Sequence, residues 1–384
     1  MPRPLRIMLS AGEASGDRLG AGLAQALRRR MPDVELFGMG GAQMAAAGVR
    51  LVQDASEVAV VGIWEVLRRL PAIRRAKALM ERALESERPD LLVPIDFPDF
   101  NLRLAAASKR AGLPVVYFVS PQIWAWRQGR VRRIRELVRH MLVLFPFEAA
   151  FYEKAGVPVT YVGHPVADRA PGKLSAEQLR SRAGLPADGE VLAMLPGSRR
   201  EEVERLLPRM LGAAKLLDQD RPGLRLLLPL APGLPRQYCE RLVEESGIGD
   251  VALHERDFPD ILSVCAAGVV ASGTASLEAA TVGLPMVVVY RVSPFSYAVG
   301  RALIKVDNIA LPNLVAGRRV VPELIQGECN PEAIARALGR YLDDPDEADR
   351  ARRELRAVRE RLGGPGVFDR AAEALLDEVS PAAV

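Results

Sequence analysis

The stretch LRIMLSAGEASGDRLGAGLAQALRRR, residues 5–30, decides the fold class of this 384-residue chain. Residues 5–9 form a short apolar run typical of a buried strand, and residues 19–30 have helical periodicity. Between them lies the turn AGEASGD, where Gly12 and Gly16 permit tight turning. A strand, a turn and a helix in this order predict the first unit of a parallel α/β sheet.

The same alternation of strand and helix continues along the chain. Strand-like apolar runs occupy residues 34–38, 91–95, 114–119, 141–145, 191–195, 224–230, 268–272 and 285–290. Near-continuous apolar runs are typical of parallel strands covered on both faces. Residues 165–190 interrupt the pattern with Pro, Gly and charged residues, so they indicate a domain crossing. We predict an α/β protein with two Rossmann-like parallel-sheet domains, 1–168 and 169–345, facing a central cleft.

Composition favours a globular cytoplasmic protein. The hydrophobic fraction is 49% and the net charge is only +4. The three cysteines have no paired spacing, which fits a reducing compartment and buried, inert thiols. We find no signal-peptide pattern and no run of about 20 apolar residues that would span a membrane.

Polar side chains follow two strands of the first half. Asp96 comes directly after the run 91–95, and the first turn contains Glu13, Ser15 and Asp17. Ligands of open parallel sheets bind beyond the carboxyl ends of the strands. Asp96 is therefore a candidate general base. The first turn is a candidate substrate contact, although a capped turn without a substrate role remains open.

Two motifs of the second half predict phosphate binding at helix N-termini. In LPGSRREEV, the residues Gly197, Ser198 and Arg199 combine a close backbone approach, exposed N–H groups and a cation. This pattern is typical of a diphosphate site, but it lacks the Lys of a P-loop.

In ASGTASLEAATVGLP, a strand leads to Ser272, Gly273 and Thr274, which also precede a helix. Glu278 lies one helical turn beyond Thr274, where its carboxylate could bind the hydroxyls of a ribose. A solvated helical glutamate is the alternative.

Residues 60–84 combine large apolar and basic side chains, a composition typical of an interfacial helix on an anionic membrane. The predicted membrane-facing residues are Trp64, Leu67, Arg68, Arg69 and Leu70. We expect Pro71 to interrupt the helix. An ordinary amphipathic helix packed on the first sheet remains open.

A second basic cluster, Arg127–Arg135, follows Trp124 and Trp126. Arginines beside aromatic residues suit nucleic acid, but no RNA-binding motif accompanies them. An anionic membrane or a phosphorylated lipid is the favoured partner. Which of the two basic segments is the main membrane contact stays open.

The motifs together resemble the lipid-A-disaccharide synthase family of inverting GT-B glycosyltransferases. The matching stretches are AGEASGD, IDFPDFN, VSPQIWAWRQGRV, FPFEAAFYEKAGVPVTYVGHP, LPGSRREEV, SGTASLEAA and LPNLVAGRRVVPELIQ. They keep a consistent order between residues 11 and 326.

The resemblance implies transfer of a diacylglucosamine from UDP-2,3-diacylglucosamine to 2,3-diacylglucosamine 1-phosphate by a single inverting displacement. It implies Asp96 as the base, Arg199 at the departing diphosphate and Glu278 at the ribose. It adds Asn313 as a polar residue of the cleft that binds UDP. It implies that Glu13, Ser15 and Asp17 line the acceptor side, and their individual roles stay open.

The resemblance also implies that the C-terminal helices, 346–384, return to brace the first domain. Association into a homodimer and attachment to the cytoplasmic face of the inner membrane follow from it as well. We expect no cofactor, no nucleic-acid partner and no catalytic metal.

Two other functions remain open. A UDP-sugar 2-epimerase would share the two sheets and the ribose-binding glutamate, but it has no use for a lipid-facing basic surface. A nucleotide-sensing membrane adaptor would have the binding sites without turnover.

Overall fold

The computed structural model describes residues 3–58, 63–169, 172, 174–256, 258, 260–303 and 306–379. Their side chains are described except those of residues 63–68, 295, 299, 302 and 303. The chain divides into two compact units, one formed by Met1–Asp168 with Gly363–Val384 and the other by Arg169–Leu362.

The first unit is built on a parallel sheet. Its strands are β1 (Arg6–Ala11), β2 (Glu35–Gly40), β3 (Arg50–Asp54), β4 (Leu91–Ile95), β5 (Val116–Phe118), β6 (His140–Val143) and β7 (Val159–Tyr161). Their order is β3-β2-β1-β4-β5-β6-β7. The helices are α1 (Ala14–Arg30), α2 (Ala42–Ala46), α3 (Ile63–Glu87), α4 (Pro98–Arg110), α5 (Ile123–Trp126), α6 (Val131–Leu137) and α7 (Pro146–Lys154). Apolar clusters on both faces bury the central strands.

The second unit repeats this plan. Its strands are β8 (Val191–Leu195), β9 (Arg225–Pro229), β10 (Val251–His254), β11 (Ala267–Ala271), β12 (Met286–Tyr290) and β13 (Glu323–Ile325). They form a parallel sheet in the order β10-β9-β8-β11-β12-β13. The helices are α8 (Ala176–Arg182), α9 (Arg200–Asp220), α10 (Arg236–Ser246), α11 (Thr274–Thr281), α12 (Pro294–Leu303), α13 (Leu311–Ala316), α14 (Pro331–Asp343) and α15 (Pro345–Arg361).

Every strand that the apolar runs predict is present, and the fold class is confirmed. The strands that the runs did not predict are β3, β7, β10 and β13, which are the edge strands of the two sheets. Edge strands have only one strand neighbour. These four are therefore less buried and carry no long apolar run.

The last helix, α16 (Val367–Val379), packs against α1 in the first unit. The chain returns to that unit at Gly363, whereas the expected return began at residue 346. The return is later because α15 still belongs to the second unit. Its buried stripe packs within that unit and consists of Ala348, Ala351, Leu355 and Val358.

Helix α3 is continuous through Pro71, so the expected interruption is corrected. Residues Ala76, Met80 and Leu84 bury the later turns of α3 against the first sheet, and this packing holds the helix beyond the proline. Within the described residues, no helix has the length and apolar character needed to cross a bilayer.

Candidate active site

The carboxyl edge of the first sheet brings Glu13 and Asp96 together. Strands β1 and β4 are parallel neighbours, and Ala11 pairs with Ile95 at their ends. Burial, together with the nearby carboxylate of Glu13, raises the pKa of Asp96 to about 6. A carboxylate with a pKa in this range is well suited to accept a proton near neutral pH.

The turn that carries Asp96 has an unusual backbone. Asp96 and Phe97 both adopt left-handed conformations, with φ of 47° and 50°. The carbonyl of Asp96 accepts hydrogen bonds from Asn101 Nδ2 at 2.7 Å and from the hydroxyl of Tyr117 at 2.6 Å. Ser10 donates to Asn101 Oδ1 at 2.6 Å and fixes this buried amide. Strain of this kind persists only where the surroundings hold it, and it clusters at functional sites.

Gly12 makes room for the Asp96 turn. A Cβ added at Gly12 would lie 2.2 Å from the ring of Phe97. We expect Gly12→Ala to displace Phe97 and lower the rate of the reaction at this site by at least about tenfold, because active-site geometry tolerates little displacement. Steady-state kinetics on the variant would measure this. Gly249→Ala is the control, because its Cβ would meet no atom within 4 Å; equal rates for both variants would contradict the prediction.

Asp17 is expected to line the acceptor side, but in the structure its side chain binds backbone groups instead. The side chain is only 6% exposed, and its carboxylate accepts the backbone N–H groups of Gly41, Gln43 and Met44 at 2.7 to 3.0 Å. It therefore caps the N-terminus of α2, which satisfies backbone donors that helices leave free. Glu13 and Ser15 are exposed at the same turn and keep their candidate roles.

The first turn of α7, which follows strand β6 of this sheet, contains a buried carboxyl group that sequence reasoning missed. Glu148 is 3% exposed, and its two oxygens accept hydrogen bonds from Trp124 Nε1 and from the backbone N–H of Phe145, both at 3.2 Å. Burial raises the pKa of Glu148 to about 8. Its position in the quoted motif FPFEAAFY gave no signal of burial, because glutamate in a helical run is usually solvated.

The raised pKa of Glu148 predicts a pH-dependent stability. The folded state binds this proton more tightly than the unfolded state does, so the free energy of unfolding should fall as pH rises from about 4.5 to about 8. Glu148→Gln removes that contribution. The variant should have a free energy of unfolding about 1–3 kcal/mol lower than that of wild type at pH 5. The reason is that the amide NH₂ of the glutamine, a donor, faces another donor, the N–H of either Trp124 or Phe145. The difference from wild type should shrink towards pH 9.

Urea denaturation at pH 5, 7 and 9 measures this trend, with the exposed residue Glu136 changed to Gln as the control. A difference between Glu148→Gln and wild type that stays constant with pH would contradict the prediction.

His164 is held neutral at the end of the first unit. Burial, together with the charge of Arg18, lowers its pKa to about 4. Its Nδ1 accepts the backbone N–H of Val166 at 3.2 Å, and its ring stacks on Phe145.

The second sheet brings the two predicted phosphate motifs to one edge. Strands β8 and β11 are parallel neighbours, and Leu195 pairs with Val270. The N-termini of α9 and α11 therefore follow adjacent strand ends. Gly273 leaves open space at the start of α11, because a Cβ added there would meet no atom within 4 Å.

The sequence predicts free backbone N–H groups at the turn before α9, but in the structure these groups are already hydrogen-bonded. Glu202 Oε2 accepts from the backbone N–H groups of Ser198 and Arg199 at 3.1 and 3.2 Å, and Arg199 Nη1 lies 3.2 Å from Glu202 Oε1. Gly197 has a φ of 110° and lies against the Glu202 carboxylate. The turn thus already binds one anionic group, in the way that helix N-termini do.

Asn313 is corrected from a nucleotide contact to a structural clamp. The residue is fully buried, and its Oδ1 accepts the backbone N–H groups of Val320 and Val321. Its Nδ2 donates to the Val321 carbonyl and to Glu323. An asparagine side chain has two donors and two acceptor sites, so no capacity remains for a ligand.

Ser272 has a similar structural bond, since its hydroxyl donates to the carbonyl of Ile309 at 3.0 Å. Thr274 is exposed at the start of α11, and Glu278 is half-buried on that helix.

Tyr290 is a further candidate that the sequence reasoning did not select. It ends β12, is 37% exposed, and has a pKa raised by burial and by Glu202. The strand-end rule that selected Asp96 would also have found Tyr290, because it is the last residue of a predicted strand.

Two parallel α/β sheets with ligand-suited turns at their carboxyl edges define the GT-B class of glycosyltransferases and related nucleotide-sugar enzymes. The fold is similar to that of CalG4, the calicheamicin glycosyltransferase, with a TM-score of 0.62 and 18% identity over 99% of this chain and 100% of that chain. It is also similar to UDP-GlcNAc 2-epimerase from Neisseria meningitidis, with a TM-score of 0.60 and 12% identity over 98% of each chain.

A family model described as lipid-A-disaccharide synthetase matches residues 7–374. The chain is 48% identical to a lipid-A-disaccharide synthase of Geobacter metallireducens over 97% of both chains. It is 49% identical to a lipid-A-disaccharide synthase of Myxococcus xanthus over the full length of both. The chain therefore belongs to the lipid-A-disaccharide synthetase family and is a hexosyltransferase.

Proposed function

We propose that the protein transfers 2,3-diacylglucosamine from UDP-2,3-diacylglucosamine to the 6-hydroxyl of 2,3-diacylglucosamine 1-phosphate. The products are the β-1,6-linked disaccharide 1-phosphate and UDP. The observation that carries the proposal is Asp96, a carboxylate with a pKa of about 6 on a strained turn beside Glu13.

The proposed mechanism is a single inverting displacement. Asp96 takes the proton of the acceptor hydroxyl as its oxygen attacks the anomeric carbon of the donor sugar. The bond from that carbon to the diphosphate breaks, and its electron pair leaves with UDP. This route needs one base and a stabilised leaving group, and it forms no covalent glycosyl-enzyme.

In this proposal the second unit binds UDP. The diphosphate is bound by Arg199 with the turn of Gly197 and Ser198, and by the start of α11 at Ser272, Gly273 and Thr274. Glu278 accepts the ribose hydroxyls. Binding requires the Glu202 carboxylate to leave the N–H groups that it occupies in the structure. Glu13 and Ser15 contact the acceptor.

Mass analysis of the products from purified protein with both acylated sugars tests the function. The expected product is the tetra-acyl disaccharide 1-phosphate, formed only when both sugars are present. Release of UDP without the acceptor would instead support a UDP-sugar 2-epimerase, and UDP-sugar binding without turnover would support an adaptor.

We also propose that the protein acts on the cytoplasmic face of the inner membrane, where acylated substrates reside, and that it forms a homodimer. Residues 60–84 are the proposed contact, with the Arg127–Arg135 cluster as the alternative. The side chains of Trp64, Leu67 and Arg68 lie outside the described residues, whereas Leu70 is half-buried and Arg69 donates to the Ser56 carbonyl.

Changing Trp64, Leu67 and Leu70 together to Ser is expected to weaken binding to anionic vesicles by at least about tenfold, because apolar area is lost from the interface. Vesicle flotation measures this. Met31→Ser removes an exposed apolar side chain outside the segment and serves as the control. Vesicle binding equal to that of wild type would rule out this surface.

A further inference from the structure

Two arginines converge on one carboxylate beside the Asp96 turn. Arg130 Nη2 lies 2.7 Å from Asp99 Oδ1, and Arg127 Nη1 lies 3.7 Å from the same oxygen. Asp99 belongs to the first turn of α4, three residues after Asp96. A positively charged group is therefore held at the start of α4, the helix that follows the Asp96 turn.

The local fold holds the two arginines side by side. Residues Gln128–Arg130 form a 3₁₀ turn, and Arg130 donates its backbone N–H to the carbonyl of Arg127 at 2.9 Å. In this kind of turn, side chains three residues apart project on the same side. The guanidinium of Arg127 also stacks on Trp126, with 4.0 Å between its central carbon and the ring centroid.

Among the residues that the structure describes, this arrangement leaves positive charge uncompensated. Like charges three residues apart repel each other, and the carboxylate of Asp99 balances only one of the two cations. Each guanidinium has five N–H donors, of which Asp99 can occupy few. Asp99 is itself largely exposed, at 72% for its side chain, so the group is open to a ligand.

We propose that Arg127 and Arg130 bind the phosphate monoester of the acceptor sugar and that Asp99 orients them. This inference rests on the proposed function, because it assigns a phosphorylated sugar as the acceptor. Paired guanidinium groups match the oxygens of a phosphate, and negative charge on that phosphate balances the uncompensated cation. The donor sugar carries a diphosphate diester and no monoester. The arginines thus select which of the two diacylglucosamines presents its hydroxyl to Asp96.

The test compares two acceptors, 2,3-diacylglucosamine 1-phosphate and the same sugar without phosphate, in detergent micelles. Arg130→Gln is expected to lower kcat/KM for the phosphorylated acceptor by about 10- to 100-fold, mainly through KM, since hydrogen bonds to charged groups are lost. It should leave kcat/KM for the unphosphorylated acceptor within about twofold. Arg127→Gln should act in the same direction, and Arg130→Lys should restore part of the preference.

Arg110→Gln is the matched control, because Arg110 is also an exposed arginine of the first unit, 3.7 Å from the carboxylate of Glu81. This variant should leave kcat/KM unchanged for both acceptors. Equal losses for both acceptors in Arg130→Gln would overturn the proposal and assign the arginines a structural role. A loss of vesicle binding with unchanged acceptor preference would overturn it in favour of a membrane contact.

A second measurement does not depend on turnover. In saturation-transfer NMR, soluble glucosamine 1-phosphate should bind wild type and Arg110→Gln but not Arg130→Gln, and glucosamine should bind none of them. If wild type binds glucosamine 1-phosphate but forms no product from the two acylated sugars, the proposed function is contradicted and the proposed phosphate site is retained. Equal binding of glucosamine 1-phosphate by wild type and Arg130→Gln would overturn the proposal that Arg130 binds the phosphate.

Discussion

Asp96→Asn is expected to lower kcat for sugar transfer by about 10²- to 10⁴-fold, the range that a lost general base costs. The amide has nearly the shape of the carboxylate but cannot accept the proton of the acceptor hydroxyl. UDP binding should be unchanged, because the proposed nucleotide site is in the other unit. Asp33→Asn, in an exposed turn before β2, is the control and should keep full activity.

The pH profile gives a second signature of the same residue. Because the base must be ionised and the pKa of Asp96 is raised to about 6, kcat/KM should fall about tenfold per unit as pH drops below 6 and level off above it. The residual rate of Asp96→Asn should lack this acid limb. An unchanged acid limb in the variant would assign the titration to another group.

Loss of activity in Asp96→Asn should not reflect unfolding. A carboxyl group whose pKa is raised by folding lowers the free energy of unfolding once pH exceeds its unfolded value, and this cost is complete above about 6. The neutral amide avoids the cost. We therefore expect the variant to be at least as stable as wild type at pH 8 in urea denaturation.

The central strands of both sheets could be predicted because a strand covered on both faces must be apolar along its whole length. Strand β8 is buried at every residue, and so is β11. Strand β7 has only partly buried residues, since it pairs with β6 alone. Its sequence, VTY, has no signal strong enough to separate it from a loop.

The position of a candidate site residue could be predicted better than its contacts. The rule that chemistry follows the carboxyl ends of parallel strands placed Glu13, Asp96 and Arg199 correctly at sheet edges. The same rule could not tell that Asp17 and Asn313 turn back to satisfy backbone groups. That outcome depends on where α2 and residues 320–321 lie in three dimensions.

The buried partners of the site were beyond sequence reasoning for a related reason. Glu323 accepts the backbone N–H groups of Ile309 and Ala310, and this bond fixes the loop that Ser272 also contacts. Its residue type predicts exposure, and burial follows only from the unpaired N–H groups of a distant loop.

Arg199→Gln is expected to lower kcat by about 10²- to 10³-fold and to weaken UDP binding. The charge on the departing diphosphate grows in the transition state, and loss of one aligned donor to such charge has costs of this size. Steady-state kinetics with the acylated donor and calorimetry with UDP would measure the two effects. Arg199→Lys should give an intermediate rate, because it keeps the charge and loses the planar fork.

The adjacent Arg200→Gln is the matched control. Arg200 is equally exposed, pairs with Glu204 at 3.0 Å and lies over the ring of Tyr238, so it already has partners on the α9 surface. It should change kcat by less than about twofold, as surface ion pairs contribute little. Equal losses in Arg199→Gln and Arg200→Gln would contradict a specific role for Arg199.

Glu202 provides an independent check on the diphosphate site. Its carboxylate occupies the N–H groups of Ser198 and Arg199 that the diphosphate would use, so UDP must displace a like charge. Glu202→Gln keeps the helix cap and removes the negative charge, and we expect it to lower the Kd for UDP by about threefold to tenfold. A Kd that rises or stays constant would place the diphosphate away from this turn, because only an anion bound at the same N–H groups competes with Glu202.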